Sequence, residues 1–159
     1  MPDAVCAFDI DNTITCGKEH AKRLIGWCRQ QGFGLGIITA RPLPVPPPDW
    51  AALGFTEQEM RRHLHHNPGS YSQNGAQHGK KKAQAMAQLQ ADHGVTDKQC
   101  VLLVDDMKYN IAAVREHGFS AVQVGQDGAC GLTPATVREV QGQLASCVGA
   151  NRRKTASEE

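Results

Sequence analysis

The stretch Ala4-Val5-Cys6-Ala7-Phe8-Asp9-Ile10-Asp11-Asn12-Thr13 decides the fold of this chain. A short, nearly continuous apolar run is typical of a strand buried on both faces in the middle of a parallel sheet. Ligands of open α/β sheets bind beyond the carboxyl ends of such strands, so Asp9 and Asp11 mark the expected site. Two neighbouring carboxylates repel each other unless a proton or a cation intervenes, and such oxygen ligands suit Mg²⁺. The pair therefore predicts a metal, although an acidic turn that only caps the next helix is an open alternative.

The composition indicates one globular domain with no dominant charge. The chain has 159 residues, with 17 Lys and Arg against 16 Asp and Glu. This balance gives no field that would attract nucleic acid or a membrane surface. We expect one domain over residues 1–148 and a disordered polar tail over residues 149–159. A cytoplasmic location is also expected, because there is no N-terminal signal sequence and no apolar run of membrane length.

The six cysteines are predicted to be reduced thiols. They form no CxxC pair, and several fall inside predicted strands or helices, where Cys behaves as a small hydrophobe. They are Cys6, Cys16, Cys28, Cys100, Cys130 and Cys147.

Helices and strands alternate after the acidic turn. Residues 18–31 carry apolar side chains at helical spacing, and Gly32 follows where a left-handed cap would end a helix. Residues 33–38 form a second buried strand that closes on Thr39. A strand, a helix and a strand make one right-handed unit with adjacent strands, so Thr39 should lie beside the carboxylates.

The region after Thr39 gives weaker signals. Five prolines between residues 42 and 48 predict an extended surface loop. A helix is expected from about residue 50 to residue 64, bent near Gly54, with a capping box of Thr56 and Glu59. A short third strand is expected around residues 71–73.

Four histidines in the same region suggest zinc. They are His63, His65, His66 and His78. Neither cysteines nor supporting acids accompany them at a recognised ligand spacing, so we do not expect a zinc site there.

Three lysines, Lys80, Lys81 and Lys82, open the predicted helix 80–93. A basic first turn opposes the helix dipole, so an anion nearby would explain them. On a helical wheel Lys82 shares the buried face with Met86, which makes it the lysine expected to point inward. A solvated basic patch is the alternative.

The remainder of the chain repeats the opening pattern. An apolar strand over residues 100–104 runs into Asp105 and Asp106, and a helix that contains Asn110 follows. A last strand over residues 119–124 leads to a helix capped by Thr133 and ending near residue 147.

Four motifs in this order resemble the haloacid dehalogenase (HAD) superfamily of phosphotransferases over nearly all of residues 4–125. The first, DxDxT after an apolar strand, matches residues 9–13. The second is a strand that ends in Ser or Thr, here Thr39, and the third is a lysine at a helix start, best matched by Lys82. The fourth, paired acids with Asp or Asn four residues on, matches Asp105, Asp106 and Asn110. Each motif alone is weak, whereas four in order form a specific signal.

The resemblance implies a Rossmann-like three-layer α/β sandwich, in which helices flank a mostly parallel sheet of about five strands. Only 25 residues separate Thr13 from Thr39, and the segment from Thr39 to Lys82 has little spare length. We therefore expect no substantial cap domain and an open site. Capless members of this family act on bulky substrates such as phosphoproteins, or use a neighbouring subunit of a homo-oligomer as a lid.

The resemblance also implies a role for each motif residue. Asp9 would attack phosphorus to form an aspartyl-phosphate, and Asp11 would act first as general acid and then as general base. Mg²⁺ would be held by the Asp9 carboxylate, the Asp11 carbonyl and Asp106. Thr39 and Lys82 would hold the phosphoryl oxygens.

Other residues are expected to support this site or to face the substrate. Asp105 and Asn110 would order a metal water or Lys82. Asn12 and Arg41, together with the proline loop, would face the substrate. The form of the fourth motif is similar to that of capless magnesium-dependent phosphatases, which favours phosphotyrosine or sugar phosphates. A polynucleotide end phosphatase would need a basic groove, and a silent binding module would normally have lost Asp9 or Asp11, so both are lesser alternatives.

Overall fold

The computed structural model describes residues 1–39, 49–62, 64–66, 75–126 and 128–150. Its five strands are β1 Val5–Phe8, β2 Gly34–Thr39, β3 Leu64–His66, β4 Val101–Asp105 and β5 Ser120–Gln123. Its helices are α1 Lys18–Gln30, α2 Asp49–Ala52, α3 Glu57–Arg62, α4 Gly75–His93, α5 Lys108–Glu116 and α6 Pro134–Ala145. A 3₁₀ turn, Lys98–Cys100, leads into β4.

The five strands form one parallel sheet in the order β3-β2-β1-β4-β5. In the centre, Val5 of β1 is in register with Gly34 of β2 and with Val101 of β4. The chain moves from β1 to one edge of the sheet and then returns to β4 on the other side of β1. This reversal of direction creates a crevice beyond the carboxyl end of β1, and it confirms the predicted Rossmann-like α/β fold.

Helices cover the sheet in two packed pairs, α1 with α6 and α4 with α5. Right-handed crossovers in opposite directions place these pairs on opposite faces, because α1 joins β1 to β2 whereas α4 joins β3 to β4. The four residues of β1 and the five of β4 are all buried, as expected of strands covered on both faces. The same apolar runs were the strongest strand signals in the sequence.

The structure corrects the single helix expected over residues 50–64. It contains two short helices, α2 and α3, separated by Gly54 at a φ of 108°, and residue 64 begins β3. The predicted bend at Gly54 and the capping box are confirmed, since Thr56 N donates to Glu59 Oε1 and Glu59 N donates to Thr56 Oγ1. Arg29 of α1 fixes this corner by donating to the carbonyl of Gly54 at 2.6 Å and to Glu59 at 2.7 Å.

Helix α4 begins at Gly75, five residues before the predicted start at Lys80. The three lysines therefore lie in its second turn, and the argument from the dipole of a first turn does not apply to them. A Cβ on Gly79 would lie 2.6 Å from the Cβ of Ala113 and 2.7 Å from the carbonyl oxygen of Tyr109. Gly79 thus permits the close packing of α4 on α5, which stabilises a helical turn that glycine would otherwise disfavour.

Four of the six cysteines form disulfides, which corrects the prediction of reduced thiols. Cys16 pairs with Cys130 and Cys100 with Cys147, with Cα atoms 5.7 and 5.8 Å apart. These separations lie in the usual range for disulfides. Cys6 and Cys28 are free and buried. The partners are 114 and 47 residues apart in sequence, so no local spacing could have identified them.

Several predictions concern residues outside the described ranges. They are the proline loop 42–48, Arg41, His63, the third strand around residues 71–73 and the tail from residue 151. Where the chain between β2 and β3 is described, it forms only α2 and α3, with no cap domain in that part. No described helix is long and apolar enough to cross a membrane.

Candidate active site

The carboxyl ends of β1 and β4 bring three acids and one lysine together. One carboxylate oxygen each from Asp9, Asp105 and Asp106 lies within 4.8 Å of the others. Asp9 follows β1, and its backbone N–H donates to the carbonyl of Val104 at 2.9 Å, which extends the β1 and β4 ladder to the edge of the site. Two strands that lie side by side in the sheet therefore present their terminal acids to one another.

Lys82 of α4 is the counter-ion of this cluster. Its Nζ donates to Asp9 Oδ1 at 2.8 Å and to the carbonyl of Ile38 at 2.7 Å, and it lies 3.3 Å from Asp105 Oδ2. The residue is only 4% exposed, which confirms the helical-wheel prediction that it points inward. An ammonium group has three donors, and here two buried carboxylates and one strand carbonyl use them.

Asp105 is fully buried and held by further donors. The backbone N–H of Met107 donates to its Oδ1 at 2.9 Å, and the side-chain amide of Asn110 donates to its Oδ2 at 3.2 Å. Because Asp105 is bound by protein groups, it orders the cluster, whereas Asp106 is only partly buried and faces the opening.

The turn after β1 is wound around the carbonyl of Ile10. That oxygen accepts from the backbone N–H groups of Thr13, Ile14 and Thr15. Asn12 adopts a left-handed φ of 57°, and the fully buried Thr13 directs its Oγ1 towards the Asp11 carbonyl at 3.4 Å. The buried Thr13 thus fixes the turn on its inner side, while Asp11 stays partly exposed at the crevice beside β1.

Burial and mutual repulsion raise the pKa values of the three acids. For Asp9 and Asp105, desolvation is the largest cause of the raised pKa, and the charge of Lys82 opposes it. Desolvation and the charge of Asp9 raise the pKa of Asp106. Burial lowers the pKa of Lys82, but the charges of Asp9 and Asp105 outweigh it, so the net shift is upward. The lysine is thus charged at neutral pH, but one positive charge does not neutralise three neighbouring acids.

The cluster fits a divalent cation by its charge and by its donor atoms. Three ionised carboxylates and one ammonium leave a net charge of −2, which one divalent ion would neutralise. Carboxylate oxygens are the hard ligands that Mg²⁺ prefers. Asp9 and Asp106 are the carboxylates best placed to hold the ion, because Lys82, Met107 and Asn110 already occupy Asp105.

Known structures share this architecture at low sequence identity. An uncharacterised protein from Corynebacterium glutamicum matches with a TM-score of 0.59 and 14% identity, over 89% of this chain and 95% of that one. The cobalt-bound deoxy-D-mannose-octulosonate 8-phosphate phosphatase YrbI of Haemophilus influenzae matches with a TM-score of 0.55 and 14% identity, over 92% and 89%. The core domain of a protein assigned as a phosphoglycolate phosphatase from Streptococcus pneumoniae matches with a TM-score of 0.51 and 13% identity, over 88% and 96%.

The chain has the fold of HAD phosphatases. No family model and no curated protein matches the sequence itself. At 13–14% identity the likeness concerns the fold alone, so the chemistry must be argued from the residues of this chain.

Within the HAD fold, the site residues expected from the sequence lie at the carboxyl edge of the sheet as far as the structure describes them. Thr39 is buried at the end of β2, and the carboxylate of Asp11 is not part of the three-acid cluster. That Asp11 would offer its backbone carbonyl to a metal stays a prediction. Arg41 lies outside the described residues, and the catalytic roles of all these groups stay predictions.

Two features of the site were not predicted from the sequence. Thr13 belongs to the DxDxT motif, and that motif was the signal that could have placed it among the site residues. His78 and Tyr109 also lie at this edge, with ring centroids 5.9 Å apart. Burial raises the pKa of Tyr109, and the charges of Asp105, Asp106 and Asp9 raise it further, which indicates that the phenol lies close to the cluster. No sequence motif indicated this aromatic pair.

Proposed function

We propose that the protein is a Mg²⁺-dependent phosphatase that hydrolyses phosphomonoesters through an aspartyl-phosphate on Asp9. The observation that carries this proposal is the buried cluster of Asp9, Asp105, Asp106 and Lys82 at the crevice beside β1. A cation would offset the negative charge that Lys82 leaves on the three acids, and a cation beside a fixed carboxylate is the arrangement that phosphoryl transfer needs.

In the first step, an oxygen of Asp9 attacks phosphorus and the bond to the leaving oxygen breaks. Lys82 holds Asp9 Oδ1 at 2.8 Å, so the proposal assigns the attack to Oδ2. Asp11, at the opening of the site, donates its proton to the leaving oxygen, which departs as an alcohol. The products are the acyl phosphate on Asp9 and a deprotonated Asp11.

In the second step, a water molecule attacks the phosphorus of the acyl phosphate. Asp11 accepts the proton of that water, the bond between phosphorus and Asp9 breaks, and inorganic phosphate leaves. Each group is thereby restored to its starting protonation state. Splitting one displacement into two steps lowers the barrier that each must cross.

The cation would be held by the carboxylates of Asp9 and Asp106 and by the backbone carbonyl of Asp11. When bound, it would screen the negative charge of the phosphoryl group, so that an anionic nucleophile can approach it. Thr39, buried at the end of β2, is assigned to a phosphoryl oxygen. In the structure the donors of Lys82 contact Asp9, Asp105 and Ile38, so its first role is to keep Asp9 ionised and oriented.

The short segments between the motifs, which leave little room for a cap, and the form of the fourth motif support a phosphoprotein carrying phosphotyrosine, or a sugar phosphate, as the substrate. We do not propose nucleic acid, because the basic residues outnumber the acidic ones by only 17 to 16. A cytoplasmic location stays a prediction, as does the use of a second subunit as a lid.

Hydrolysis of phenyl phosphate by the purified protein tests the proposal. We expect turnover with Mg²⁺, none with a chelator, and a loss of at least about a thousandfold in Asp9→Asn. Asp97→Asn is the matched control, because Asp97 caps the 3₁₀ turn at the opposite edge of the sheet. Turnover that survives in Asp9→Asn, or that ignores the chelator, would contradict the mechanism. A folded, Mg²⁺-binding protein without turnover on any phosphomonoester would favour a binding module.

A further inference from the structure

One side of the candidate site is built from the first two turns of α4 and the first turn of α5. Lys82 reaches the cluster from α4, and His78 lies one helical turn before it on the same face. α4 runs from the carboxyl edge of the sheet back to the start of β4, so His78 is nearer to the opening than Lys82. Tyr109 lies in the first turn of α5, directly before Asn110, whose amide contacts Asp105.

His78 and Tyr109 contact each other across the two helices. Their rings are tilted by 52° with centroids 5.9 Å apart, and both residues are partly exposed. Gly79 allows this contact, because any side chain there would collide with the carbonyl oxygen of Tyr109. The backbone that carries the two rings is therefore fixed by the packing of α4 on α5.

One exposed apolar residue directly precedes α5. Met107, the residue after Asp106, is 39% exposed. The other large apolar residues that are exposed in the described ranges are Met1 and Val148, near the two ends of the chain. Met107 thus lies in sequence between Asp106 and the helix that carries Tyr109, at a position where the nearby charges would favour a polar residue.

We infer that His78 and Tyr109, with Met107, form a subsite that binds a flat, apolar group on the leaving oxygen of the substrate. The subsite would favour aryl phosphomonoesters over alkyl ones of similar size. This inference rests on the proposed function, because it assumes that the phosphoryl group occupies the acidic cluster with its cation. None of the three residues takes part in the chemical steps, so they act on substrate specificity alone.

Binding of two unreactive phosphonates in the presence of Mg²⁺ tests the subsite without turnover. Phenylphosphonate and methylphosphonate share the anionic group and differ in the ring. We expect wild type to bind the phenyl compound about fivefold to tenfold more tightly, the range typical of aromatic contacts. Tyr109→Ala should reduce this preference to less than about twofold while leaving methylphosphonate binding unchanged, and Tyr109→Phe should keep it.

His117→Ala is a matched control for His78→Ala, because His117 follows the other end of α5. We expect His78→Ala to lose part of the preference and His117→Ala to lose none. Equal affinity of wild type for both compounds, or a preference that survives in Tyr109→Ala, would overturn the subsite. Failure to bind either compound would overturn both the subsite and the proposed phosphatase activity. A preference for the phenyl compound that depends on Tyr109, without Mg²⁺-dependent hydrolysis of phenyl phosphate, would refute the proposed phosphatase activity but would still support an aromatic binding site at Tyr109.

Discussion

Replacement of Lys82 by methionine tests how the buried charges of the site are balanced. Methionine preserves most of the volume of the lysine and removes the donors to Asp9, Asp105 and the Ile38 carbonyl. Asp9 is 9% exposed and Asp105 is fully buried, so neither would be fully hydrated after the loss of Lys82. Removal of one partner from a buried ion pair typically costs about 3–5 kcal/mol of unfolding free energy. We expect a loss in this range at pH 8 without metal.

The loss should become smaller as the pH falls. Burial already raises the pKa values of Asp9 and Asp105, and removal of Lys82 will raise them further. A carboxyl group whose pKa is raised in the folded state holds its proton more tightly there than in the unfolded chain, where the pKa is about 4. Its stabilising contribution is therefore present at low pH and is lost as the pH rises through the folded pKa. At pH 5 the variant should recover at least about 1 kcal/mol of the loss.

Urea unfolding at pH 5 and pH 8 with a chelator measures both effects. Lys80→Met is the matched control, because Lys80 is exposed on the same helix. We expect it to change the unfolding free energy by less than about 0.5 kcal/mol. A loss below about 1 kcal/mol for Lys82→Met at pH 8, or the same loss at both pH values, would refute our account of the charge balance.

Two further predictions concern the cation and the loop beside the site. Burial and neighbouring charge raise the pKa values of Asp9 and Asp106, so Mg²⁺ must displace protons from these acids as the pH falls. Calorimetry should therefore show weaker Mg²⁺ binding and more proton release at pH 5 than at pH 8. A Mg²⁺ affinity that does not depend on pH would contradict this. Gly131→Ala should cost at least about 2 kcal/mol more unfolding free energy than Gly128→Ala. The two glycines have similar φ values of 77° and 75°, but only a Cβ at residue 131 would lie 2.5 Å from the Cys16 carbonyl oxygen. Equal losses in urea unfolding would show that this close approach is not fixed.

The sequence predicted the elements that depend on apolar runs. β1 and β4 are buried on both faces, so their sequences are continuously apolar and end visibly at Asp9 and Asp105. Lys82 could be chosen from three lysines because a buried stripe has a fixed period on a helix. Its contact with the Ile38 carbonyl could not be predicted, since that contact depends on where β2 ends relative to α4.

Other features depend on tertiary packing that no local pattern records. The first two turns of α4 contain Gly75 and Gly79, which resemble a loop in sequence, yet Gly79 is there because α5 lies against it. β3 has only three residues, and it is extended because all three pair with β2 between Ile37 and Thr39. The disulfides and the contact of His78 with Tyr109 join residues far apart in the chain, so they too required the fold.

The two disulfides also determine what a protease can release. The ring closed by Cys16 and Cys130 overlaps the ring closed by Cys100 and Cys147, so every peptide bond between residues 16 and 147 lies inside at least one of them. A single cut anywhere in that range, including the proline loop, leaves both fragments covalently joined. Only segments before Cys16 or after Cys147 can be lost by one cleavage, and a chain nicked between these residues would keep the mass of the intact one, plus a water, until it is reduced.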